Sequence, residues 1–128
     1  MLNRSGVASS TYAATKQILA NVDLQSSIGC IVPQSLGVAV GSKKIAKAGT
    51  PIKVDLLNTN NAVTKADGSN AMNAVLLHDV DVTAGNANGT ALIFGFVNVN
   101  RVDSDVAAAI TTASGATGRS TLITFLKA

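Results

Sequence analysis

Residues 74–102, AVLLHDVDVTAGNANGTALIFGFVNVNRV, restrict the fold more than any other part of the chain. Val80 and Val82 alternate with Asp79 and Asp81, the period-two signature of a half-buried strand. Residues 83–89 hold two Gly, two Asn and no apolar side chain larger than Ala, a turn composition. A second strand follows over residues 92–99. In regular alternation Leu92, Phe94 and Phe96 share one face, and Ile93, Gly95, Val97 and Val99 the other. Only from Asn98 does one face become polar. A strand that is apolar on both sides requires cover on both. In a small protein the second cover is expected to be a helix or a neighbouring copy of the chain.

A chain of 128 residues fits one domain with a core of its own. Hydrophobic residues make up 47%, but aromatics only 3% and charged residues 13%, with no Glu and no Trp. Since soluble domains usually carry about 25% charged residues, much of the surface must be Ser, Thr, Asn and Ala. Such a surface suits broad contact with other subunits, because few charges are desolvated on association. A bland surface without a partner is the alternative. Residues 1–53 hold six Lys and Arg against one Asp, and residues 54–128 hold four against six. The first half is therefore expected to face something acidic, a protein surface or nucleic acid.

Cys30 is the only cysteine, which leaves no intrachain disulfide and no thiolate zinc site; it fits a small core residue. Residues 1–12 lack the apolar region of a secretory signal, and no apolar run approaches the roughly 20 residues that span a membrane. Without a secretion signal, the glycosylation sequons at Asn3 and Asn88 carry no weight.

Along the chain, residues 1–11 are polar and without period. Residues 12–22 read as an extended or irregular arm, or as a short helix capped by Ser10 or Thr11 and carrying Ile18, Leu19 and Val22. A strand over residues 28–32 ends at Pro33, which cannot donate to a ladder. Residues 34–35 turn, 36–40 form another strand, and 41–49 read as a basic loop. Residues 50–57 alternate Ile52, Val54 and Leu56 against Lys53 and Asp55. Residues 58–73 are a long polar excursion, with Asp67-Gly68 as a turn and room for a brief hairpin around Val63. Asp103, Ser104 and Asp105 supply a cap and favourable charge for a helix over 106–113, which Gly115 is placed to end. Residues 118–126 return to strand. The fold class is mainly β: a small barrel of the β-clip or β-tulip kind, over residues 27–128. It carries one short α-helix near the C-terminus and an N-terminal arm over residues 1–26.

Little in the chain carries chemistry. His78 is the only histidine, so a zinc site of His ligands is excluded, and a strand histidine needs no catalytic role. Asp79/Asp81 and Asp103/Asp105 are carboxylate pairs of the sort that can hold a cation or move protons. A solvated strand face and a helix cap account for them better. No nucleophile elbow or phosphate loop is present, and residues 115–120 follow a helix instead of opening one. Lys43, Lys44 and Lys47 lack the interleaved aromatics of single-strand binders, and phosphate contacts alone would be weak and salt-sensitive. No enzyme, cofactor, metal site, membrane or direct nucleic-acid partner is therefore expected.

The strand ending Leu76-Leu77-His78-Asp79-Val80-Asp81-Val82-Thr83, the Gly/Asn loop, and the Gly-initiated apolar strand over 89–97 resemble the small head decoration proteins of tailed bacteriophages, the lambda-like group. Gly49-Thr50-Pro51 and the helix-plus-strand ending after Val102 belong to the same resemblance, which spans residues 49–128. It implies a homotrimer on the outside of the expanded capsid, bound to the major capsid protein, made in the host cytoplasm and bracing the head against packaged DNA. It also implies an arm in which Leu2, Asn3, Arg4 and Tyr12 contact the shell. Ile93, Phe94 and Phe96 would then serve the core or the trimer seam. Two rivals are a carbohydrate-binding or host-attachment module gripping sugar through Asn and Asp, and a metal enzyme using Asp79 or Asp81. The shortage of exposed aromatics counts against the first.

Overall fold

The computed structural model describes residues 17–57, 61–66, 72–112, 119–120 and 122–127. Ten strands occur in these segments: β1 (Ser26–Val32), β2 (Val38–Val40), β3 (Lys43–Ala46), β4 (Pro51–Val54), β5 (Val63–Lys65), β6 (Ala74–Leu76), β7 (Val80–Asp81), β8 (Ala87–Asn98), β9 (Arg119–Ser120) and β10 (Ile123–Leu126). One helix, α1 (Ser104–Thr112), follows β8. The expected class, mainly β with a single helix near the C-terminus, is what the molecule adopts. The sheets stay open, however, and no barrel closes.

β8, twelve residues long, organises the larger sheet. It pairs antiparallel with β1 and β6, and parallel with β10, which β9 extends; β4 and β5 continue the sheet beyond β6. β2, β3 and β7 form a separate three-stranded sheet. The Asp-Val-Asp-Val segment is therefore not the hairpin partner of β8. β6 pairs with β8 through Val75 and Leu92, and the chain then turns at residues 77–79 and delivers β7 to β3. Asp79 holds that corner by accepting the Ala48 N–H at 2.7 Å. The basic segment after Gly41 also departs from its expected loop: Lys43–Ala46 is the middle strand of the small sheet. A two-residue turn, Gly41-Ser42, joins it to β2, and Gly41 supplies the φ of +62° there. β4 stops at Val54, so Leu56 lies outside the strand and is exposed. The brief strand around Val63 is present and pairs with β4.

The two faces of β8 are covered differently. On one side Leu92 and Val97 join Val75, Ile123, Phe125, Ile18, Leu19 and the helix residues Val106 and Ile110 in a first core cluster. On the other, Ala91 joins Ala74, Leu76, Cys30 and Ile52 with Leu36, Ala46, Val80 and Val82 of the small sheet and its flanks in a second. The large sheet thus lies between a helix and a small sheet, which is the cover its two-sided apolar strand demands. The Asp103 backbone carbonyl accepts the Ala107 N–H at 2.9 Å, so the helix opens at the expected acidic segment. Gly49, at φ +92°, lets the β3–β4 connection approach the helix so closely that an added Cβ would lie 2.5 Å from Val102 Cγ1.

The arm expected over residues 1–26 is described only from Gln17, and there it is fixed to the core. Ile18 and Leu19 are buried, Leu19 bridges Val97, and the Asn98 N–H donates to the Ile18 carbonyl at 2.8 Å. Leu2, Asn3, Arg4 and Tyr12 lie outside the described residues, as do the Asp67-Gly68 turn and Gly115.

Candidate association face

The alternation assumed for β8 breaks at Ile93. Ser27 pairs with Leu92 and Ser26 with Phe94, so Ile93 is an extra residue and the strand is bulged. Leu92 and Val97 consequently reach the same core although they are five positions apart, an odd step that regular alternation would send to opposite faces. An added Cβ on Gly95 would lie 3.3 Å from Leu92 Cδ1, which puts Gly95 on that face as well. Phe94 and Phe96 therefore face away from Leu92 and not with it, as regular alternation would have them. They stand on the Ala91 side, past the end of the second core, and Phe94 retains 37% of its exposure. Ile93 itself is half-buried and packs on the second core. The structure thus separates the three residues expected at a trimer seam: Ile93 turns inward, while Phe94 and Phe96 turn outward and touch each other.

Other apolar side chains gather beside this pair. The Gly95 N–H donates to the Leu122 carbonyl at 3.2 Å, just ahead of β10. Because Ile123 and Phe125 are buried in the first core, Leu122 projects the other way and is 54% exposed. Opposite, the Ala20 N–H donates to the Phe96 carbonyl while Ser26 pairs with Phe94. Residues 21–25 must loop out alongside Gly95. The Asn21 side chain shapes that loop, accepting from the N–H groups of Asp23 and Leu24 at 2.9 and 3.2 Å. Val22 and Leu24 project from it, each 53% exposed. One end of the large sheet thus displays two phenylalanines, two leucines and a valine, with Asp23 in the loop beside them. Sequence reasoning found the aromatics and missed Val22, Leu24 and Leu122; Gly95, a glycine inside an apolar strand, was the available signal for the bulge.

The polar residues singled out in the sequence serve local structure. Asp81 accepts from the Thr83 hydroxyl at 2.6 Å and the Thr83 N–H at 2.9 Å, and lies 3.5 Å from Lys43 Nζ. The Thr83 hydroxyl, its N–H and then Lys43 hold the Asp81 carboxyl below its ordinary range. Lys47 Nζ sits 3.1 Å from Asp105 and 3.3 Å from Asp103, tying the β3–β4 connection to the start of α1. The Asp105 hydrogen bond, partly opposed by burial, raises the Lys47 pKa. A cleft of about 100 Å³ beside Lys47, lined also by Thr50, Lys65 and Val106, meets an ammonium already held by two carboxylates. His78 lies at the corner between sheets, its Nδ1 buried and without a hydrogen-bond partner among the described residues. Burial raises the Cys30 thiol pKa, and the group packs in the second core. Among the described residues no three His, Cys or Asp side chains converge as a metal site would require, and no helix is long and apolar enough to cross a membrane.

No protein-family model matches the chain, and no curated protein matches it. What fold and face together define is a three-layer, mainly β protein with exposed apolar side chains at one end of its central strand.

Proposed function

We infer that this is a structural protein of a virion, assembling as a homotrimer on the outside of an expanded phage capsid and stabilising it against internal DNA pressure. The observation that carries the reading is the outward face on which Phe94 and Leu122 are exposed and Phe96 half-buried among the described residues. Exposed apolar surface of this kind favours association between subunits. The likeness of the 76–97 segment to lambda-like decoration proteins supplies the assembly and the major capsid protein as partner. Three copies would offer each arm contact to the shell three times, so weak binding gains from effective concentration.

The test begins with mass in solution by light scattering. A trimer is expected at micromolar concentration, and a strict monomer at high concentration overturns the reading. Mixing with expanded phage heads that lack their decoration protein should give co-sedimentation. Deleting residues 1–12 should abolish that binding and leave fold and mass unchanged; undiminished co-sedimentation removes Leu2, Asn3, Arg4 and Tyr12 from the contact.

A further inference from the structure

We propose that the open edge of β2 receives an extended, acidic segment of a partner protein, which adds a fourth strand to the small sheet. The backbone direction follows from the opposite edge of β3. Lys44 donates its N–H to the Thr83 hydroxyl at 2.9 Å and accepts the Val82 N–H at 2.9 Å, so both its backbone groups point toward β7. Ala39, directly across from Lys44, is therefore the non-hydrogen-bonded member of the β2–β3 ladder. Its N–H and C=O point out from the open side. Val38 and Val40 spend theirs on β3, opposite Ile45 and Lys43.

Edge strands are usually blunted by short length, charge, proline, a bulge or a covering loop. β2 is short and has lysines beside it, but among the described residues it has no proline, bulge or covering loop, and all three of its residues are exposed. Val38 and Val40 present 41% and 37% of their surface on one face of the hairpin. Ala39 and Lys44 share the other, since side chains of a non-hydrogen-bonded pair lie close together. An incoming strand thus meets the valines on one face, where Lys43 is held by Asp81, and the Lys44 ammonium on the other.

Charge selects the occupant. Lys44 makes no ion pair among the described residues, and Lys43 has only Asp81 at 3.5 Å. A second copy pairing through its own β2 would set two basic hairpins side by side. A carboxylate on an added strand would lie about 10 Å from the Lys44 backbone, two strand spacings away, within reach of a lysine side chain. The segment recognised is one that alternates apolar and acidic residues. This recognition is independent of the Phe94 face.

The probe is a terminally blocked hexapeptide alternating valine and aspartate, titrated at low ionic strength into the 15N-labelled full chain. It should shift the Ala39 amide and protect it from exchange. Binding should weaken at least ten-fold in Lys44→Glu and vanish when alternate amides of the peptide are N-methylated. A peptide with lysine in place of aspartate should not bind. Equal binding of the two peptides, shifts centred away from residues 38–40, or no shift at millimolar peptide each overturn the proposal. Protection of Ala39 that grows with protein concentration alone also overturns it, by giving the edge to a second copy.

Discussion

Phe94 and Phe96 meet edge to face on the outer surface of β8, with ring centroids 6.5 Å apart and planes at 65°. Such a pair is worth about 0.5–1.5 kcal/mol beyond its buried area, yet here it buttresses surface and not core. Replacing both with serine should therefore cost the monomer fold little, about 1–2 kcal/mol, while weakening self-association at least ten-fold. Sedimentation equilibrium and denaturant unfolding, run on the same preparation, separate the two effects. An unchanged mass distribution in the double variant would count against this face as the seam.

Gly49 and Gly29 offer a paired test of backbone requirement. At Gly49 a methyl group would be forced against Val102 and Val106 in a left-handed conformation, whereas nothing lies within 4 Å of an added Cβ at Gly29. Gly49→Ala should destabilise by about 2–4 kcal/mol. Gly29→Ala should lie within about 1 kcal/mol of the parent. The contrast is read from denaturation midpoints at equal slope.

The charged contacts make stability depend on pH at both ends. The Lys47 pKa is raised in the fold, so its contribution is complete below the ordinary lysine value of 10.5 and is lost as pH climbs through the raised one. Asp81 is lowered, so its contribution is complete above the ordinary value of 3.8 and is lost as pH falls through the lowered one. Lys47→Met should cost about 1 kcal/mol at neutral pH and flatten the alkaline limb of a thermal-midpoint profile. Asp81→Asn should flatten part of the acid limb and leave the alkaline limb in place.

Asn73 stands in for a strand partner of Val54. Its side chain accepts the Val54 N–H at 2.8 Å and donates to the Val54 carbonyl at 2.9 Å. Asn73→Ala strands both backbone groups at the end of β4, with an expected loss of about 1–3 kcal/mol. Asn73→Asp keeps the acceptor but not the donor and should fall between them. Faster amide exchange at Val54 in the alanine variant would locate the effect.

How far the fold could be read in advance depends on how local its causes are. The two-sided strand and the acidic helix start were legible because each follows from side chains a few residues apart. The bulge at Ile93 was not, since it arises from pairing with Ser26 and Ser27, far away in the chain. One inserted residue was enough to carry Phe94 and Phe96 to the opposite face. β3 was hidden because Lys43-Lys44 resembles a solvated loop; what makes it a strand is β2 on one side and β7 on the other. The same non-local choice takes β7 away from β8. At the candidate face, Phe94 could be named from the sequence alone, but Leu122 and Val22 join it only through register.

The first core carries a further consequence, for the order of folding. Ile18 and Leu19 from near one end of the chain and Ile123 and Phe125 from near the other meet on Leu92 and Val97. A nascent chain still threaded through the ribosome at position 125 lacks the pieces that seal this cluster. Closure therefore waits for synthesis to pass that point, and until then the flank of β8 that β10 will occupy lacks its partner strand.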